Sequence, residues 1–154
     1  MDQRIQLISV LIIALLLPGC ISGGPVDEDH PFSGEWTTQQ GLLMIFFETD
    51  TLCSTEWNVF NNTTENIVDC MDATGMRTTQ TYNHTFVGNV LFMQPIHIQI
   101  EYSDGNTSSA DMSEAMVCAA YVPRDIAADE ATWEAEVNAV TLPSYCETIV
   151  GIDT

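Results

Sequence analysis

TTQTYNHTFVGNVLFMQPIHIQIEY, residues 78–102, reads as two strands folded back on one another. From Thr78 to Phe86 the side chains alternate: Tyr82, His84 and Phe86 fall on one face, Thr79, Thr81, Asn83 and Thr85 on the other. Period-two alternation marks a half-buried strand. Gly88-Asn89 supplies a two-residue turn of the kind that joins antiparallel strands. The return strand carries Leu91 and Met93, then Ile96, Ile98, Ile100 and Tyr102. These two sets have opposite parity. A bulge near Gln94-Pro95 reconciles them, because proline inside a strand sits at edges and bulges.

The same reading extends outward in both directions. Leu42–Glu48 is a continuous apolar run that fits a buried strand, with Thr49-Asp50 turning the chain after it. Between Thr51 and Phe60, the residues Cys53, Thr55, Trp57 and Val59 share a core-facing side. Asn62–Gly75 fits a short helix, with a Thr/Asn cap, Glu65 in its first turn, Ile67 and Met71 on one face and Gly75 as its stop. A loop is expected over Ser103–Ser113 and a strand over Met116–Val122. Thr132–Leu142 satisfies two patterns. Its alternation of Trp133, Ala135, Val137 and Ala139 favours a strand, whereas Ile126, Trp133, Val137 and Val140 would form the stripe of a helix starting at Asp125. Cys146–Ile152 completes a set of about seven strands, and no internal repeat is visible. The expected architecture is a mainly β, single disulfide-stapled β-sandwich with one short helix, with a small β-barrel as the alternative.

At the N-terminus, Leu7 to Leu17 is apolar but for Ser9, and Arg4 stands before it. That run is about half the length a spanning helix needs, and Pro18-Gly19 ends it, as in a secretory signal peptide. Leu17-Pro18-Gly19-Cys20 resembles the lipobox of prokaryotic lipoproteins, with Leu17, Gly19 and Cys20 matching and Pro18 a less usual filler. The resemblance covers the first twenty residues. It implies cleavage before Cys20, a lipid on the Cys20 thiol, and a domain held outside the cytoplasmic membrane in the cell envelope. Two or more acyl chains give stable anchoring where one does not. The expected organisation is a signal peptide over 1–19, a lipidated N-terminus and polar tether over 20–33, and an extracytoplasmic β-rich domain over 34–154.

Five cysteines are odd for a secreted chain. Setting Cys20 aside leaves Cys53, Cys70, Cys118 and Cys146, an even number suited to two disulfides in an oxidising compartment. Four cysteines allow three pairings; Cys53–Cys70 with Cys118–Cys146 is preferred because each closes a short loop, worth about 3 kcal/mol in the chain-entropy model. No C-x-x-C occurs and no histidine lies at ligand spacing from these cysteines, which argues against zinc. N-x-S/T sequons begin at Asn61, Asn62, Asn83 and Asn106 and mark solvated stretches open to glycosylation.

Chemistry-bearing motifs are scarce. There is no G-x-S-x-G. His30 lies in the tether, His84 is expected packed in the core and His97 solvated. A blue-copper site fails because neither His nor Met follows Cys118 closely. Asp104, Asn106, Ser108, Asp111 and Glu114 could offer oxygens to a divalent cation, without the EF-hand spacing. No cofactor motif is present. The chain has no lysine, and its Arg4, Arg77 and Arg124 face 22 acidic residues for a net charge of −19. That balance disfavours nucleic acid, and Arg77 and Arg124 are each expected to face carboxylates. The expected function is a non-enzymatic, lipid-anchored surface protein that binds a protein or glycan or builds the envelope. The alternative is a carrier of a small apolar ligand, with a cavity lined by Phe46, Trp57, Phe86 and Trp133.

Charge also sets a solution property. Debye screening shortens the reach of self-repulsion from about 30 Å at 0.01 M salt to about 3 Å at 1 M. The melting temperature of residues 21–154 should therefore rise across that range of NaCl. A flat calorimetric profile would show the acids to be too dispersed to matter.

Overall fold

The computed structural model describes residues 30–46 and 52–152. Strands β1 (Trp36–Thr37) and β2 (Leu43–Met44) flank a 3₁₀ turn at Gln39–Gly41. Then come β3 (Ser54–Val59), β4 (Thr63–Asp69), β5 (Met76–Val87), β6 (Val90–Tyr102) and β7 (Thr107–Asp111). A 3₁₀ turn at Ser113–Ala115 leads to β8 (Val117–Pro123), helix α1 (Glu130–Asn138) and β9 (Thr148–Ile149). Among the described residues the protein is mainly β with one short α-helix. All nine strands belong to one sheet in the order β2-β1-β8-β6-β5-β4-β3, with β7 added to β6 and β9 to β8. The sheet curls into a half-barrel, within the mainly β class expected, for which a sandwich and a small barrel were the two forms considered.

The β5–β6 hairpin is the longest element. Of its two turn residues only Gly88 takes a left-handed φ, +60°, the position at which a glycine-first turn requires it. Thr81 lies opposite His97 and Tyr82 opposite Pro95, so Ile96 is the extra residue of a bulge beside Gln94-Pro95. Its carbonyl accepts from Met112 N–H at 2.8 Å. The bulge brings Leu91, Met93, Ile98 and Ile100 onto the same face as Tyr82 and His84. The far edge of β6 is shared: Leu91–Met93 pairs with β8, and His97–Glu101 pairs with β7.

Alternation along β6 and β8 then builds two cores. Val90, Phe92, Cys118, Ala120 and Val122 face α1, meeting Trp133, Val137 and Ile149. Leu91, Met93, Ala119 and Tyr121 face the other way and meet Phe32, Trp36, Phe46 and Tyr82, with Trp57 and Val59 against them. Side chains from β1, β3, β5, β6 and β8 converge in this second cluster, which makes it the concave side. Burying each such large apolar side chain contributes about 1.5–3 kcal/mol.

Several segments differ from the sequence expectation. Residues 63–69 are strand β4 and not part of a 62–75 helix; they pair with β3 on one side and β5 on the other. The 132–142 segment is not a strand but lies in and after α1. Asp129 caps it, accepting from Thr132 N–H while Thr132 bonds back to the Asp129 N–H, and Trp133 and Val137, one turn apart, are the buried pair. The Trp133 Nε1–H donates to the Ala120 carbonyl at 3.1 Å. The 103–113 loop contains β7, and the last expected strand shrinks to β9, parallel to β8. The tether also ends earlier than expected. Phe32 is fully buried in the concave cluster, and its carbonyl accepts from Trp36 Nε1–H at 3.1 Å. The expected strand over 42–48 is confined to β2 as far as it is described, since residues 47 and 48 lie outside the described ones.

Both preferred disulfides are present, Cys53–Cys70 and Cys118–Cys146, with sequence separations of 17 and 28. The first ties the start of β3 to the end of β4, and the second ties β8 to the segment after α1. Intact-mass analysis after alkylation without reduction should find none of these four thiols modified. Replacing Cys118 and Cys146 together by alanine should cost about 3–4 kcal/mol in denaturant titration. Two alkylated thiols, or an unchanged midpoint, would contradict the pairing.

Candidate functional site

The concave cluster is the best-built candidate. Phe46, two residues beyond β2, stands edge-on to Trp57 of β3 (centroids 5.2 Å, interplanar 89°) and to Tyr121 of β8 (5.0 Å, 70°). Trp57 stacks on Tyr82 at 6.3 Å. Phe32 closes the end of the cluster near the hairpin turn, packing on Phe46 at 5.2 Å and edge-on to His84 at 5.2 Å. β2 and β3 are the two ends of the strand order. Backbone pairing therefore leaves the half-barrel open there, and the Phe46–Trp57 ring contact bridges the opening.

Polar groups line the same face. Thr64, Asn66 and His84 are buried, and Asn66 lies in register between Trp57 and Gln80. Tyr82 donates its hydroxyl to Gln80 Oε1. Burial raises the Tyr82 hydroxyl above the usual tyrosine range, with nearby Tyr121 adding to it, and burial alone raises Tyr121. Both stay protonated donors. The three indoles differ in a telling way. Trp36 and Trp133 each donate to a backbone carbonyl, whereas the buried Nε1–H of Trp57 has no partner among the described residues. The Tyr121 hydroxyl, in a side chain 1 % exposed, also has none. Leaving a buried donor unsatisfied costs about 1–3 kcal/mol, so each calls for an explanation.

The expected residues are only partly gathered here. Phe46 and Trp57 touch within the cluster. Phe86 is instead 42 % exposed, at the rim beside Phe32 and Trp36. Trp133 lies on the opposite face of the sheet, under α1. These four do not line one space, because Phe86 lies at the exposed rim and the sheet itself stands between Trp133 and the other two. Tyr82 and Tyr121 take the places that Phe86 and Trp133 were expected to fill. Alternation had put Tyr82 on the right face, but nothing distinguished Tyr121 within MVCAAYV. His84 is buried as expected, its Nδ1 sharing a 2.8 Å hydrogen bond with Thr64 Oγ1. His97 is half-buried and lies across from Asp111. His30, expected solvated, is half-buried, and its Nδ1 accepts from Phe32 N–H at 3.1 Å.

The acidic loop has local uses. Asp104 is held below the usual carboxylate range by the backbone and side-chain N–H groups of Asn106. Asp111 is lowered by the Ser113 hydroxyl and then by its backbone N–H. Among the described residues no group of three or more His, Cys, Asp or Glu side chains is placed to hold a metal ion. Arg77 faces Asp69 at 4.0 Å, but Arg124, against expectation, makes no ion pair among the described residues, and its buried Nη1 is unpartnered. Of the sequon asparagines, Asn61, Asn62 and Asn106 are exposed, while Asn83 is half-buried and donates to Gln94 Oε1 at 3.0 Å. Cys20 lies outside the described residues. No family model matches the chain, and neither does any curated protein or solved structure.

His84 carries a pH dependence. Burial lowers its pKa below the ordinary 6.5, so the unfolded chain binds its proton more readily than the folded one. Stability from this site is complete at neutral pH. It is lost progressively as the pH falls through 6.5 and on toward the lower folded value. Between about pH 7 and pH 5 the slope of unfolding free energy against pH should flatten in His84→Leu. An unchanged slope would show the imidazole to be solvated.

Proposed function

We propose that the protein is a lipid-anchored, extracytoplasmic binding module that works without covalent chemistry. The observation that carries this reading is how the chain enters the domain. Phe32 is sealed into the concave end, twelve positions after Cys20. At about 3.3–3.6 Å per extended residue, that leash spans about 40 Å at most. A lipid on Cys20 would keep the entry point of the domain within that distance of the bilayer. The histidines favour binding over catalysis. His84 and the Thr64 hydroxyl it shares a hydrogen bond with are both buried, and Phe32 and Phe86 box the imidazole, so a substrate does not reach the pair.

A second reading, a carrier for a small molecule, is favoured by the unpaired donors of Trp57 and Tyr121 in the concave cluster. Its lining differs from the four residues first expected. The two readings are compatible, since a tethered module can hold a small ligand.

Fractionation of cells producing wild type and Cys20→Ser tests the anchor. Wild type should be processed, carry a lipid label and sediment with membranes. The serine variant should remain unprocessed and unlabelled. Identical maturation and labelling of the two would overturn the anchored reading.

A further inference from the structure

We propose that the seam between β2 and β3 takes a small neutral ligand with an apolar, ring-sized body and one hydrogen-bond acceptor. The inference rests on the binding-module reading and names the occupant of its concave site. The argument starts from the ends of the sheet. Among the described residues β2 and β3 do not pair, and the contact across the gap is that of the Phe46 ring with the Trp57 ring. Aromatic side chains can part and re-pack where a backbone ladder would have to break. Trp57 is only half-buried, so the seam is reachable from solvent.

Behind the seam stand the two unsatisfied donors. Trp57 Nε1–H and the Tyr121 hydroxyl both belong to rings that contact Phe46. The fold satisfies its other two indoles with backbone carbonyls, so the exception is local to this spot. Two donors around one apolar ring call for an acceptor carried by an apolar body. The charge of the ligand follows from the same residues. The two donors call for a lone pair, which a cation seated on the ring faces would leave unsupplied, and the chain has no lysine to meet an anion. The net charge of −19 repels anions further. A neutral ketone, ester or ether on a ring meets each condition.

The three tryptophans make the test specific. The ¹⁵N-labelled full-length chain in detergent micelles has indole signals from Trp36, Trp57 and Trp133. It is titrated with acetophenone and, separately, with ethylbenzene, which has the same carbon skeleton without the carbonyl. Free concentrations are equalised by dialysis. Acetophenone should move the Trp57 indole signal saturably and leave those of Trp36 and Trp133 in place. Ethylbenzene should bind about tenfold more weakly, the factor expected for one lost hydrogen bond. Tyr121→Phe deletes an unpaired hydroxyl, so it should melt no lower than wild type while narrowing the preference for acetophenone. Equal binding of the two probes would overturn the acceptor requirement. A Trp57 signal unmoved by either would overturn the site and leave the two donors to water. Neither result would touch the outcome of the Cys20→Ser fractionation, so failure of this site and failure of the anchored reading are told apart.

Discussion

The ladder between β5 and β6 supports nearly everything else. β4 pairs with the outer edge of β5, and β7 and β8 divide the far edge of β6. The bulge at Ile96 is what allows that division. It resets the parity of β6, so that Leu91 and Met93 join the aromatic cluster while Ile98 still meets Met112 on the same face. Without it the second half of β6 would turn its isoleucines to water, because a one-residue slip exchanges the two faces of a strand. Both cores are therefore read from a single strand.

The parts of this fold that were legible in the sequence are those where apolar and polar residues alternate with burial. The hairpin, the position of its bulge, the core face of β3 and the strand at Met116–Val122 all follow that rule. β4 breaks it. Its inward side carries Thr64, Asn66 and Val68, and its outward side carries Glu65 and the half-buried Ile67. With polar groups turned inward, period two was invisible and a helical spacing of Ile67 and Met71 stood out instead. β7 is hidden for a related reason, since Thr107–Asp111 is an exposed edge with little apolar character. In α1 the alanines fit either period, and the Asp129–Thr132 capping box was the discriminating signal. The site was half legible: Phe46 and Trp57 stand out as large aromatics, but their relation to Tyr121 arises only when the sheet curls.

Charge and burial divide the work between the two sides of the sheet. Few of the acids enter the cores; the buried polar groups are threonines, amides and one histidine, most of them hydrogen-bonded. The concave face is thereby neutral within a strongly negative molecule. A neutral interior inside an anionic shell filters what approaches it, since anions are turned away before any contact is made.

The way Phe32 is fastened also sets how the domain would respond to mechanical load. Tension on the N-terminal chain is delivered first to a buried ring and to β1, a strand of two residues that pairs with the last two of β8. That attachment is short, whereas β3 to β6 are joined by long ladders and a disulfide. Under a pull on the N-terminal chain, the aromatic end would yield first while the hairpin sheet stays whole. The Phe32–Trp36 segment is thus a mechanical fuse, and the first part of the molecule it would expose is the concave aromatic face.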